Sequence, residues 1–256
     1  MEFSGFDLDG MTAVVTGSGS GIGKTIALGL AEAGANVVVT DLHDKLKFAE
    51  ETAVSIRKIG RNAFVSELDV TNVVSIQKMV DKVCTEFSHI DILVNNAGII
   101  IRKPALEVTE EEWDKVLNVN LKGAFFVSQA VTKVMLKQTR GKIINIASIN
   151  GLIGSAERAS YTASKAGVVN LTRTLAAEWA RYGICVNAIA PTYLLTPMTQ
   201  PLFDNPDFRN VYFSRQPIQR VGRPEDLVGA VIYLASPCSD MVTGQTLAID
   251  GGWTAV

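Results

Sequence analysis

A chain of 256 residues, 47% of them apolar and 20% charged, can build one large α/β domain or two small ones and is too apolar for a disordered polypeptide. A formal charge of −2 with no basic block excludes the electrostatic footprint of nucleic-acid binding. Cys84, Cys185 and Cys238 lie far apart and His43 and His89 form no cluster, so reduced thiols are expected, with neither a disulfide framework nor a metal site.

The opening MEFSGFDLDG is acidic and has no apolar segment, so it does not read as a secretion signal. No run approaches the roughly 20 apolar residues of a membrane span. A soluble, cytoplasmic protein with no membrane partner is expected. The first strand is predicted at 12–15 and leads through GSGSGIGKT into a helix over 25–33. Strands follow at 36–40 and 63–67, with a helix over 46–59 between them. Next come a helix over 74–87, a strand at 90–94, and a helix opened by Thr109 with carboxylates Glu110, Glu111 and Glu112 on its first turn. A helix over 123–137, a strand at 142–146, a long helix over 163–181 and strands at 185–190 and 246–249 complete the series. Several strands (VVVT, IDILV, KIINIA) are apolar on both faces, the mark of parallel strands covered by helices on two sides. The alternation predicts a single doubly wound Rossmann-type domain over 1–256, with a mostly parallel seven-stranded sheet and helices on both faces. One segment breaks the rhythm. Between Pro191 and Pro224 lie Pro197, Pro201, Pro206 and Pro217, and this stretch reads as a substrate lid inserted around 192–223.

The glycine loop 17–25 ends in Gly-Lys-Thr, but Ser18 stands where a nucleoside-triphosphate loop needs glycine, and no register fits G-x-G-x-x-G. What fits is Thr16-Gly17, three residues, Gly21, one residue, Gly23. Glycine at 17 allows a sharp turn after the strand, and the helix N-terminus would turn its free amides toward a pyrophosphate. A flexible turn without ligand remains the alternative for this loop taken alone. Asp41, 18 residues after Gly23, ends the second strand. A carboxylate there accepts hydrogen bonds from both hydroxyls of an adenosine ribose and repels a 2′-phosphate. Ser20 adds no cation for that phosphate, so NAD is expected over NADP, with Lys45 and Lys47 close by as the opposing feature.

Tyr161 and Lys165 are four apart and share one helix face, and Ser148 closes the strand KIINIAS. A phenol with an ordinary pKa near 10 is a poor base at neutral pH, and a neighbouring ammonium is expected to lower it. Alone, Tyr-x-x-x-Lys is a weak signal.

In combination these segments resemble the short-chain dehydrogenase/reductase family from end to end. Thr16-Gly17 with Gly21 and Gly23, Leu68-Asp69-Val70, Asn95-Asn96-Ala97-Gly98, Asn118-Val119-Asn120, and Ser148, Tyr161 and Lys165 all match its motifs in order. The resemblance implies an enzyme in which hydride passes directly between nicotinamide and a carbinol carbon. Ser148 would hold the carbonyl, Tyr161 would be the general acid or base, and Lys165 would bind the nicotinamide ribose and depress the tyrosine pKa. Asn120 would hold a relay water. Gly17, Ser20, Gly21, Ile22 and Gly23 would cradle the pyrophosphate, Asp69 and Val70 would lie by the adenine, and Asn96, Ala97 and Gly98 would floor the cofactor. Pro191 and Thr196 would lie beside the nicotinamide carboxamide. Thr192 departs from the family's usual glycine.

The stretches IIIRKPALE and APTYLLTPMTQPLFDNPDF most resemble the branch acting on gluconate and deoxy-ketogluconate. Arg102, Lys103 and Arg158 then become candidates to bind a sugar-acid carboxylate, as solvated surface cations otherwise. The rival within the family is a 3-oxoacyl-acyl-carrier-protein reductase. From another class, a non-catalytic dinucleotide-binding scaffold would show a damaged Ser, Tyr or Lys, and all are intact. The family also implies a homotetramer, with spare apolar surface on helix 163–181 as a subunit contact.

Overall fold

The computed structural model describes residues 5–196 and 199–256; Pro197, within the predicted lid, and residues 1–4 of the opening segment lie outside the described residues. The seven strands are β1 (Thr12–Val15), β2 (Asn36–Asp41), β3 (Ala63–Glu67), β4 (Ile92–Asn95), β5 (Gly141–Ile146), β6 (Ile184–Pro191) and β7 (Thr246–Ile249). They form one sheet in the order β3-β2-β1-β4-β5-β6-β7, and every pairing is parallel rather than mostly so. The order reverses between β1 and β4. The loops leaving those two strands therefore diverge to opposite faces and open a crevice above their carboxyl ends.

Helices α1 (Gly21–Glu32), α2 (Leu46–Lys58), α3 (Val73–Phe87), α4 (Glu110–Leu117), α5 (Ala124–Gln138) and α6 (Ala159–Trp179) connect the strands through β6. Beyond it come α7 (Gln200–Asp204), α8 (Pro206–Arg215) and α9 (Val228–Ala235). Strand side chains alternate between two cores, as period-2 geometry demands. Val15, Val37, Val39, Ile92 and Ile144 face the layer of α1, α2 and α9, packing with Ile26, Leu30, Ile56 and Leu234. Val14, Val38, Leu93 and Ile143 face α3, α5 and α6, packing with Met79, Val83, Val131, Met135 and Leu175. Both strand faces are dry, which is why the strands read as unbroken apolar runs.

The sequence places two helix starts four residues late. α1 begins at Gly21 instead of residue 25, because glycines with poor helix propensity conceal its first turn. α6 begins at Ala159 instead of residue 163, immediately after Glu157 in the left-handed region (φ 60°) and an Arg158 that is neither helical nor extended. The acidic start of α4 is as predicted. Thr109 and Glu112 form a reciprocal capping box, with Glu112 N–H donating to Thr109 Oγ1 at 3.3 Å and Thr109 N–H to the Glu112 carboxylate at 3.0 Å.

The proline-rich segment leaves the sheet at β6. An isolated parallel bridge between Leu194 and Gly222 closes its base, and Leu195 N–H donates to the Gly222 carbonyl at 2.7 Å. Above this neck, α7 and α8 carry Phe203, Phe208 and Tyr212, which meet Tyr193 and Trp253 edge to face or tilted at centroid distances of 5.1–6.4 Å. The segment thus has a small aromatic core of its own.

Candidate active site

The crevice at the sheet reversal is built by hydrogen bonds between the loops that follow β1 and β4. Thr16 Oγ1 accepts the N–H groups of Asn96 and Ala97, both at 2.9 Å. The Asn96 amide donates back to the carbonyls of Thr16 and Gly17 at 2.9 and 3.0 Å. Asn96 therefore pins the glycine loop from below. Gly17 has φ 63°, where a side chain would be strained, and a Cβ on Gly23 would sit 2.3 Å from the Gly17 carbonyl oxygen and 2.5 Å from Asn96 Nδ2. The Ser20 side chain makes no capping hydrogen bond to the first turn of α1. Uncapped amides at a dipole's positive end, behind a loop too tight for a Cβ, fit a pyrophosphate. A cleft of about 300 Å³ adjoins this turn, lined by Gly21, Lys24, Thr25, Leu195, Thr196, Arg223, Pro224 and Glu225. Arg223 reaches it from a distant segment with no sequence signal to mark it.

Asp41 is buried at the end of β2, where its carboxylate accepts the Gly19 N–H at 3.1 Å and its own neighbour's, Leu42, at 2.9 Å. It thereby holds the glycine loop against β2. Asp69, after β3, spends one carboxylate oxygen on Thr71 N–H and Oγ1 at 2.9 and 2.7 Å. Val70 is buried against Gly123.

The predicted catalytic residues converge on the carboxyl ends of β4 and β5. Ser148 is buried just past β5, where its Oγ accepts the Asn150 N–H at 3.2 Å and its side chain helps hold down the Tyr161 pKa. Lys165 is 5% exposed, donates from Nζ to the Ile146 carbonyl at 2.7 Å, and lies 5.7 Å from the Tyr161 ring centroid. Gly98 crosses close to both neighbours: a Cβ there would stand 3.3 Å from Asn120 Oδ1 and 3.7 Å from Lys165 Nζ. Asn120 sits in a π-helical turn, Asn118–Gly123, between α4 and α5. Both of its amide donors are spent: Nδ2 donates to the Ile99 carbonyl at 2.9 Å and to Ser164 Oγ at 3.1 Å, while Oδ1 accepts Ile99 N–H at 2.8 Å. Ser164 in turn donates to the Tyr161 carbonyl at 2.7 Å. This Asn120–Ser164–Tyr161 chain, which sequence reasoning missed, ties the π turn to α6. Beneath it a buried polar ladder runs from Asn95 Nδ2 to Asn145 Oδ1 at 2.9 Å and from Asn145 Nδ2 to Thr172 Oγ1 at 2.9 Å.

Two expectations need correcting. The Tyr161 pKa is raised above its ordinary value, because burial outweighs the pull of Ser148, Arg158 and Arg102. Lys165 is itself desolvated, its pKa lowered to about 8, and its ammonium points at a backbone carbonyl. Lys103 is no free cation either, since it pairs with Glu112 at 3.1 Å. Arg102 and Arg158, by contrast, both stand near enough to Tyr161 to stabilise its phenolate. Thr192, where the family usually has glycine, is buried with its hydroxyl unpartnered by protein. Thr196 packs at the cleft rim, its N–H donating to Thr199 Oγ1 at 2.9 Å.

Residues 17–254 match the family described as Enoyl-(Acyl carrier protein) reductase. The 2-dehydro-3-deoxy-D-gluconate 5-dehydrogenase of Escherichia coli (strain K12) is 45% identical over 256 residues, covering 100% of both chains. This chain belongs to the short-chain dehydrogenase/reductase family. Among family members, a gluconate 5-dehydrogenase from Burkholderia cenocepacia J2315, solved in complex with NADP and tartrate, superposes with a TM-score of 0.94 at 42% identity over 98% of each chain. A 3-oxoacyl-(acyl-carrier-protein) reductase of Staphylococcus epidermidis is 41% identical over 94% of this chain and 98% of its own. As a short-chain dehydrogenase/reductase, the protein is a dinucleotide-dependent oxidoreductase acting on a CH–OH group.

Proposed function

We propose that this enzyme interconverts a secondary alcohol and a ketone on a sugar acid, with NAD as its preferred coenzyme. The observation that carries the reading is that the charges of Arg158 and Arg102 both reach Tyr161 and pull its pKa down, which puts two side chains able to bind a carboxylate in the neighbourhood of the proton-transfer group. The gluconate-type relatives act on substrates of this class by name, and their likeness spans the whole chain.

When bound, the nicotinamide supplies the carbon that accepts or returns hydride. The protein's residues do the rest. In oxidation Tyr161 takes the hydroxyl proton of the alcohol while its C–H hydrogen leaves as hydride; reduction reverses both transfers. Ser148 donates to the substrate oxygen and keeps it beside the phenol. Arg158 and Arg102 supply the positive charge that favours the phenolate, while Lys165, charged below about pH 8 and held on the Ile146 carbonyl, would bind the nicotinamide ribose. The Asn120 side chain is a clamp, so a relay water would be held by the carbonyls of the π turn rather than by its amide. Gly17 through Gly23 would cradle the pyrophosphate, Asp69 and Val70 would border the adenine, and Thr196 would meet the carboxamide from the inserted segment acting as a lid.

The NAD preference rests on Asp41, whose fixed carboxylate would face the 2′ position. The Burkholderia cenocepacia relative binds NADP, so the two coenzymes must be compared directly. The expected kcat/KM is at least tenfold higher with NAD, and parity or an NADP preference refutes this part. The acyl-carrier-protein reductases are the second reading, favoured by their identity with this chain. A panel of sugar acids, neutral polyols and 3-oxoacyl thioesters, followed as NAD(P)H absorbance, separates them. Turnover confined to thioesters overturns the sugar-acid reading. We further propose self-association as a homotetramer, supported by an apolar cleft of about 630 Å³ lined by Leu117, Leu121, Phe125 and Leu171 across α4–α6. A monomer by light scattering refutes it.

A further inference from the structure

Arg158 is aimed by its surroundings. Glu157, in the left-handed region, turns the chain into α6, and its carbonyl accepts Lys103 N–H at 2.9 Å. That bond laces the segment bearing Arg102 to the segment bearing Arg158. The Arg158 guanidinium donates to Ser155 Oγ and lies 5.3 Å from the centroid of the Tyr193 ring. Among the described residues no carboxylate stands within ion-pair distance of Arg158. Its charge is steadied by an aromatic ring and a neutral hydroxyl, which leaves most of its N–H fork unspent.

The ring is itself held. Tyr193 lies at the neck of the inserted segment and touches Phe203 of α7, Phe208 and Tyr212 of α8, and Trp253 beyond β7. An arginine side chain free in solvent would surrender rotamer freedom on meeting a carboxylate; one already seated against a fixed ring has surrendered much of it in advance.

We propose that Tyr193 is a specificity-determining positioning residue: its ring seats the Arg158 guanidinium for a substrate carboxylate and makes that seating depend on the packing of α7 and α8. The inference rests on the sugar-acid reading above and adds the residue that enforces it. It assigns to the aromatic lid a chemical task, discrimination between an acid and its neutral counterpart, beyond covering the crevice.

The test compares D-gluconate with D-glucitol, which differ in a carboxylate against a hydroxymethyl group at one end. Steady-state kinetics are measured for the parent, Tyr193→Leu, Tyr193→Phe, Arg158→Ala and the Tyr193→Leu/Arg158→Ala double variant. Tyr193→Leu is expected to lower the gluconate-to-glucitol ratio of kcat/KM about 2- to 30-fold, mainly through KM. Tyr193→Phe, which keeps the ring, should stay within about twofold of the parent by the same criterion. In the double variant the two losses should be less than multiplicative, since both break one contact. An unchanged ratio in Tyr193→Leu, a Phe variant as impaired as the Leu variant, or strictly multiplicative losses would each overturn the proposal. A parent enzyme that does not favour gluconate overturns the carboxylate reading itself. A gluconate-preferring parent with an indifferent Tyr193→Leu variant overturns only the role of the ring.

Discussion

Lys165 is a buried cation whose folding cost is large enough to measure. Its pKa is lowered from 10.5 to about 8, and desolvation is the cause. At neutral pH the side chain is charged in both the folded and the unfolded chain, and the folded state bears the burial penalty. A shift of this size, at about 1.4 kcal/mol per pKa unit, corresponds to roughly 3 kcal/mol. The sign follows from proton counts. Between pH 8 and 10.5 the unfolded chain binds more protons at this site, so this group's contribution to stability grows as pH rises and is lost as pH falls through about 8. Lys165→Met keeps the length and removes the charge. The coenzyme-free variant should therefore be more stable than the parent at pH 7 by up to about 3 kcal/mol, less whatever the hydrogen bond to Ile146 returns. At roughly 2 °C per kcal/mol for a chain of this length, the melting temperature should rise by about 4–6 °C at pH 7. Raising the pH toward 10 should shrink the advantage. Scanning calorimetry or urea titration of both proteins at pH 7, 8.5 and 10 tests this, and turnover by the variant should be lost at every pH. A variant no more stable than the parent at pH 7, or one whose advantage is the same at pH 10, refutes the assignment of a desolvated ammonium.

Tyr161→Phe should lower kcat by about 10²- to 10⁴-fold, the usual worth of a positioned proton-transfer group, while coenzyme binding followed by fluorescence stays within a few-fold. Gly23→Ala forces a methyl group against the Gly17 carbonyl and the Asn96 amide, so coenzyme affinity should fall at least tenfold and stability by about 1–3 kcal/mol, read by isothermal titration and thermal melting. Glu157→Gly relieves a left-handed backbone and should leave the melting temperature within about 2 °C of the parent, whereas Glu157→Val, β-branched at the same φ, should lower it clearly.

The sheet was legible because both-face burial writes itself as apolar runs, and every strand from β1 to β7 appears where those runs lie. Helix starts were less legible. Gly21 and Ala159 open helices through positions where local propensity is weak and long-range packing decides. Ser148, Tyr161, Lys165 and Asn120 were legible as a set because motif order survives in one dimension. What their spacing withheld was the electrostatic balance. Burial of Tyr161 depends on α6 meeting Ser148 and the loop after β4, and no window of sequence contains that enclosure. Lys103 and Arg102 are neighbours in the chain, yet one is neutralised by the first turn of α4 and the other is left to the site. Tyr193 and Arg158, 35 positions apart, meet only once the inserted segment folds back.

The bridge between Leu194 and Gly222 brings the two stems of the inserted segment together. The segment distal to it is tied a second time beyond β7, where Ile218 N–H donates to the Gly251 carbonyl at 3.0 Å and Tyr212 meets Trp253. Exchanging the piece between Leu194 and Gly222 for that of a relative would therefore alter the aromatic packing behind the Tyr193 ring, leaving Arg102, Arg158 and Tyr193 and the machinery beneath in place.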